Sequence, residues 1–275
     1  MLSTSEQTLR ADLHAGVVGK GAQHPPPFPA EAKRVNAWVT MPKAAATIVL
    51  VHGAWTDASS WNKVIPILQA KGLSVIAAQL PLTSIEEDVA ATTCAMADVE
   101  GPIVLVGHSW GGMAGYRSGR ESKSVSTRLR GGLCARRRRI RKWLDRSPST
   151  PPALSTVVTN SAGYVYQTVD GFVNNVAPDL PARDAKVMTV TQGPLAAKAF
   201  EQTVKVAAWR NKPSWYILSA NDRVVSPLLQ WDIAKRIDAK VTTLQSGHMS
   251  LLSHANAVSK IILEAAAHAA GKTAN

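Results

Sequence analysis

Apolar residues along the chain fall into short runs that alternate with mixed, helix-spaced stretches. The first clear run is TIVLV from Thr47, ended by His52-Gly53, and it predicts a buried strand. In WNKVIPILQAKG (61–72), Val64, Ile65, Ile67 and Leu68 share one helical face. Pro66 interrupts this pattern or shortens its first turn, and Gly72 is placed to close it. LSVIAAQL predicts a second strand. Ser84 and Glu87 have capping-box spacing and predict a helix to about Asp98. PIVLVG is a third strand. Strand–helix–strand–helix–strand order predicts an α/β fold with a mostly parallel sheet and covering helices.

After Gly119 the periodicity fails, and from Arg120 to Ser149 no helix or strand period is visible. Residues 150–210 predict an insertion of helical pieces and loops. Regular signals return with a strand at 213–220, a helix at 228–237, a strand in KVTTLQ and a terminal helix at 254–269. The division expected is an N-terminal arm (1–46), the first half of a core (47–149), the insertion (150–210) and the second half of the core (211–275). The arm carries the breaker HPPPFP and one short candidate strand, VNAWVTM.

Composition changes this picture at one place. The 275 residues are 45% hydrophobic and 18% charged, ordinary values for a chain with a sizeable core. No apolar run approaches the roughly 18 residues of a membrane span, and the N-terminus lacks a continuous apolar segment of the secretory kind. Cys94 and Cys134 have neither metal nor redox spacing. These features predict a reduced, cytoplasmic protein that needs no metal and no cofactor. The net charge of +12 is concentrated: between Arg117 and Arg146 stand twelve Lys/Arg against two Asp/Glu, which leaves +2 for the rest.

The chemistry is concentrated in VLVGHSWGGM. Gly107-His108-Ser109-Trp110-Gly111 is a G-x-S-x-G pattern directly after a strand. It requires a turn from strand to helix within a few residues, with Ser109 at the tip of a strained backbone. Free N–H groups at the helix start favour a developing oxyanion. A lone match is also an ordinary Gly/Ser turn, so the context matters. Asp222, in YILSANDRVVSP, follows a strand end, where a loop aims a carboxylate at the sheet's carboxyl edge; it also suits an Asx-turn. Asp232 and Asp238 are rivals that fall in or beside a predicted helix. His248, in LQSGHMSLLSH, follows the next strand. Serine is a poor nucleophile at neutral pH and needs a base, and an imidazole of pKa about 6.5 suits that task. A carboxylate then fixes its tautomer and steadies the imidazolium.

The order Ser109, Asp222, His248 is that of the α/β-hydrolases. LVHGAWTDASSWNKVIPIL, VGHSWGGM, KPSWYILSANDRVVSPLLQ and GHMSLLSHANAV resemble that superfamily, in a bacterial serine carboxylesterase branch related to plant methylesterases and hydroxynitrile lyases. The likeness covers about 47–114 and 165–265. It implies that the loop His52-Gly53-Ala54-Trp55 supplies part of an oxyanion hole, with Ala54 and Trp110 N–H as the donors. His52 and His108 are then structural. It implies a small helical cap formed by 150–210, with Trp55, Tyr164, Tyr166, Phe172 and Trp209 as candidate substrate contacts; each also suits plain packing. The lyases need a lysine just after the catalytic histidine, and this chain has Met249 there. Relatives that dehalogenate use an aspartate nucleophile, against Ser109. The activity implied is hydrolysis of a small carboxylic ester.

The superfamily pattern also requires a core strand near 124–134, where this chain reads VSTRLRGGLCA and then four consecutive arginines. Unpaired charge inside a sheet is very costly, so the expected strand is disrupted. Three readings stand. One is a basic loop for nucleic acid or an acidic surface, which lacks interleaved aromatics apart from Trp143. Another is a solvated loop in place of the strand. The third, which the residues favour, is translation out of frame: CGN arginine codons read one base later give Asp, Ala, Gly, Glu or Val. A disrupted sheet would leave an impaired or non-catalytic relative as the alternative to an active esterase.

Overall fold

The structure, a computed structural model, describes residues 46–118, 150–202 and 212–271, with side chains up to residue 115 in the first of these stretches. The candidate arm strand VNAWVTM, the segment 119–149 with the strand expected near 124–134, Cys134 and Trp209 lie outside the described residues.

Three parallel strands form the first part of the core: β1 (Thr47–Val51), β2 (Val75–Ala78) and β3 (Ile103–Gly107), in the order β2-β1-β3. Every residue of β1 and β3 is buried, as expected of runs covered on both faces. Val49 pairs with Ile76 on one side and Leu105 on the other, and the last pair, Val51 with Gly107, brings the ends of β1 and β3 level. A second parallel pair, β7 (Trp215–Ser219) and β8 (Lys240–Leu244), is aligned Trp215 to Lys240. Among the described residues no strand joins β3 to β7. The long C-terminal helix α7 (Ala255–Ala269) packs on both, through a face that buries Val258, Ile261, Ile262, Ala265 and Ala266. Each valine or isoleucine removed from water there contributes about 1.5–3 kcal/mol.

Local signals set the helix limits. Pro66 opens α1 (Ile65–Gln69) instead of breaking it, because the first turn needs no donor from its nitrogen. Ahead of it, Asp57 caps a 3-10 turn, Ala58–Trp61, and within the helix expected over 61–72 only Ile65–Gln69 is α-helical. Gly72, at φ +76°, closes the turn after α1. Ser84 caps α2 (Ile85–Ala95): its Oγ accepts from Glu87 N at 3.2 Å and donates back to the Glu87 carboxylate at 3.1 Å. The helix α3 (Gly111–Ser118) follows β3, and α5 (Pro227–Arg236) lies between β7 and β8 with Pro227 in its first turn.

The insertion is helical in part, with α4 (Ala182–Thr191) and a π-helical turn at Phe172–Val176. It also holds an antiparallel sheet that the pattern did not predict, β4 (Val157–Thr159), β5 (Tyr164–Gln167) and β6 (Leu195–Ala196). The insertion's backbone meets the loops that leave the core strands. Ala196 N donates to Leu82 O beyond β2, and Ala153 N donates to Arg223 O beyond β7. Trp55 Nε1 donates to Val165 O at 3.2 Å, and Gly247 N donates to Asp179 at 2.8 Å. All four meeting points follow strand ends, so the insertion covers the carboxyl edge of the core. No described helix is long and apolar enough to cross a membrane.

Candidate active site

Ser109 stands between the end of β3 and the start of α3, at φ +48°. A left-handed conformation costs a non-glycine residue roughly 1–2 kcal/mol, and the surrounding packing must hold it. Two neighbours leave no room for a side chain: a Cβ on Gly107 would lie 2.6 Å from Gly112 Cα, and one on Gly111 would collide with the His52 carbonyl. Strand and helix approach that closely only with glycine at both places. The elbow is also pinned from outside. Trp110 Nε1 donates to Asp88 Oδ2 at 2.6 Å, and Asp88 Oδ1 accepts from Leu82 N at 2.8 Å. Burial raises the Asp88 carboxyl above its ordinary range, with the two hydrogen bonds acting against that rise.

Asp222 and His248 come from the loops after β7 and β8. His248 Nδ1 donates to Asp222 Oδ2 at 2.9 Å, in a pair almost wholly removed from solvent. The other carboxylate oxygen accepts from Val224 N at 2.8 Å and Val225 N at 3.0 Å, so the Asx-turn reading of Asp222 holds together with its contact to His248. With Nδ1 committed as a donor, the neutral ring presents Nε2 as a base. Asp232 lies within α5 and Asp238 just beyond it. Beneath the His248 ring lies His108, ring centroids 4.7 Å apart, whose Nε2 donates to the His248 carbonyl at 2.9 Å. Burial, followed by the neighbouring His248, pushes His108 down to about 3, so its ring is neutral. His52 is also lowered by burial; its Nδ1 donates to Gly53 O at 2.8 Å and its Nε2 accepts from Leu80 N at 2.9 Å.

Ser109 follows His108 directly in the chain, and among the described contacts its Oγ makes no hydrogen bond to His248. The loop after β1 comes up against the same serine: a Cβ on Gly53 would lie 3.0 Å from Ser109 Cβ. The peptide between Gly53 and Ala54 has its carbonyl engaged by His52 Nδ1 and by Thr56 Oγ1 at 3.0 Å, which turns the Ala54 N–H the opposite way. The peptide before Trp110 is fixed similarly, since Ser109 O accepts from Gly112 N at 3.0 Å.

The other sequence candidates divide. Trp55 and Phe172 are buried, the first tied to β5 by its indole N–H and the second wholly enclosed in the insertion's packing. Tyr164 and Tyr166 are half-buried on β5, and Tyr166 Oη accepts from Asn160 at 3.4 Å. Two polar residues were not foreseen. Gln230, on α5 and fully buried, donates to Asp222 Oδ2 at 2.9 Å. Asp179, in the insertion, holds both Gly247 N and Ser253 Oγ, on either side of His248. Gln230 looks like any polar position of an amphipathic helix; its only sequence signal is that it stands eight residues after Asp222, in the first turn of the helix that follows. Among the described residues no cluster of His, Cys, Asp and Glu could hold a metal ion.

A parallel core with a strained serine turn, and an acid–imidazole pair at the carboxyl edge, defines an α/β class of enzyme core. The chain belongs to the alpha/beta hydrolase family, whose model matches residues 48–261. Among solved structures it is similar to a pyrethroid hydrolase from Sphingobium faniae JZ-2 (19% identity, TM-score 0.68, covering 80% of this chain and 97% of that one). It is also similar to polyneuridine aldehyde esterase (20%, TM-score 0.66, 80% and 98%) and to a methylesterase from Arabidopsis (17%, TM-score 0.68, 81% and 99%). At such identities the likeness is one of fold. No curated protein sequence matches the chain.

Proposed function

We propose that the protein is a serine hydrolase that cleaves a small carboxylic ester through an acyl-enzyme. Ser109 Oγ attacks the ester carbonyl as His248 Nε2 takes its proton. Asp222 holds the ring in the tautomer that leaves Nε2 unprotonated and steadies the imidazolium. The tetrahedral oxyanion lies between the N–H groups of Ala54 and Trp110. The alcohol departs with the proton from His248, and water then cleaves the acyl-enzyme by the same route. The step requires the Ser109 hydroxyl to meet Nε2, a hydrogen bond of a kind that is often loose before substrate binds. Tyr164 and Tyr166 are the insertion's contacts to the substrate, and Trp55 and Phe172 hold its shape.

The observation that carries this reading is the buried Asp222–His248 pair at 2.9 Å, packed on the residue that precedes a serine at φ +48°. Esterase neighbours in fold agree with it. A fluorophosphonate probe reacts only with an activated serine. Labelling lost in Ser109→Ala, together with turnover of p-nitrophenyl acetate, is the expected result. An unlabelled native protein without turnover would instead fit a hydrolase relative that kept the site but not the activity.

A further inference from the structure

We propose that Gln230 is a positioning residue for the acid of this site, acting through Asp222 on the proton affinity and aim of the His248 ring; the proposal rests on the serine-hydrolase reading above. The side chain is 0% exposed, and its amide makes one bond in each of three directions. Nε2 donates to Asp222 Oδ2 at 2.9 Å and to Val225 O at 2.8 Å, while Oε1 accepts from Ser219 N at 3.0 Å. Both acceptors lie on the nitrogen side and the one donor on the oxygen side, so the network itself fixes the orientation of the amide.

The location matters more than the number of bonds. Asp222 Oδ2 is the oxygen that receives His248 Nδ1–H. Gln230 therefore shares one carboxylate oxygen with the imidazole, while Val224 N and Val225 N occupy the other. A donor on Oδ2 draws off part of the negative charge that otherwise steadies the imidazolium. It also fixes the plane of the carboxylate and, through it, the ring. The same glutamine ties the end of β7, at Ser219, to the turn that carries Asp222. Ser219 in turn meets the base's loop: its Oγ lies 3.1 Å from Ser246 Oγ, and Asn221 N donates to Ser246 O at 3.0 Å. Acid loop and base loop are thus one framework, with Gln230 at its buried end.

Two substitutions separate this role from mere packing. Gln230→Met keeps the volume and the helix but removes every polar bond. Gln230→Glu keeps an acceptor for Ser219 N, and beside the Asp222 carboxylate its buried acid holds a proton that it can donate to Oδ2. Loss of the donor leaves more charge on Oδ2, so the acid limb of the kcat/KM–pH profile for p-nitrophenyl acetate moves to higher pH in Gln230→Met, while Gln230→Glu lies closer to the native profile. Gln230→Met lowers kcat by roughly 10-fold to 100-fold with KM changed much less. A second readout does not depend on turnover. The low-field proton NMR signal of His248 Nδ1–H, identified by its loss in Asp222→Asn, shifts or broadens in Gln230→Met. If only thermal stability falls, while the acid limb and this proton signal stay as in the native protein, Gln230 is a strut and the proposal is overturned. Should the native protein neither turn over esters nor react with the fluorophosphonate, the serine-esterase reading fails, and the proton signal still decides the role of Gln230.

Discussion

His108 supports the backbone of His248: its Nε2–H is donated to the His248 carbonyl at 2.9 Å, and the two rings lie 4.7 Å apart. The bond requires a proton on His108 Nε2, and burial, followed by the neighbouring His248, keeps the ring neutral by pushing it down to about 3. His52 is depressed in the same direction, and a proton on its Nε2 would face the Leu80 N–H. In the unfolded chain both rings take up a proton near pH 6.5. Their contribution is therefore fully present above that pH and is lost as the pH falls below it, for His108 down toward 3. At pH 5 the loss from His108 alone is about 2 kcal/mol. Melting curves between pH 7.5 and 5 are expected to show Tm falling by roughly 4–8 °C from this source. The slope should flatten in His108→Gln, which keeps a donor for the carbonyl but does not titrate. An equal slope in the two proteins would show that other groups govern acid sensitivity.

Asp88 runs the other way. Its carboxyl is raised, so its contribution is full below pH 3.8 and is lost as the pH rises through its folded value. That sign invites the idea that neutralising it stabilises the fold. The geometry predicts the opposite for Asp88→Asn. Both carboxylate oxygens accept from fixed donors, Trp110 Nε1 and Leu82 N, and an amide nitrogen can accept from neither. Protonation avoids this, since an acid O–H leaves an acceptor lone pair on each oxygen. Asp88→Asn should cost about 1–3 kcal/mol at pH 7, read as a lower urea midpoint with unchanged m-value. An unchanged midpoint would mean that the elbow does not depend on this anchor.

The parallel strands were legible because each is a short β-branched run cut off by glycine or a polar turn, as TIVLV is by His52-Gly53. The caps were legible because Ser84 and Glu87 are local chemistry. The insertion's sheet was not, since its strands are only two to four residues long and too short to show a period. Its one signal is the turn Asn160-Ser161-Ala162-Gly163, where Asn160 Oδ1 accepts from Ala162 N and Tyr164 N and Gly163 has φ +79°. The pattern picked out Ser109, Asp222 and His248 because their order along the chain is itself a signal. Gln230 and Asp179 have no such order. Asp179 meets residues 68 and 74 positions along the chain, and Gln230 meets a turn that folds back on its own helix, and composition and periodicity record neither contact.

Asp179 gives the insertion a hold on the loop that carries His248. Its Oδ2 accepts from Gly247 N at 2.8 Å and from Ser253 Oγ at 2.6 Å, bracketing the segment that carries His248. Gly247 sits close against it: a Cβ there would lie 3.0 Å from Asp179 Oδ1 and 3.1 Å from Pro178 Cγ, so any larger residue would have to push these neighbours aside. Asp179→Ala leaves Gly247 N without this acceptor and frees the loop on one side. Because Asp179 is exposed, global stability should change little, within about 1 kcal/mol. Small misplacement of a catalytic group costs rate steeply, so ester turnover should fall by roughly 10-fold. Ser253→Ala keeps the Gly247 bond and should lose less. Steady-state kinetics and melting curves on the two variants test this ranking, and equal losses would refute it.

Ser109→Ala tests the chemistry that the other residues serve. The substitution removes one oxygen and leaves the Asp222–His248 pair and the proposed oxyanion donors in place. Alanine at φ +48° bears a strain similar to that of serine, so the fold should survive, with a Tm within a few degrees of native. Turnover of p-nitrophenyl acetate is expected to drop by roughly 10⁴-fold to 10⁶-fold, to what binding and the oxyanion site supply alone. A background of that size is separable from contaminating esterase by titrating the native enzyme with a fluorophosphonate, which counts active serines per chain. Near-native turnover in folded Ser109→Ala would exclude this hydroxyl as the nucleophile and leave the strained turn without a chemical purpose.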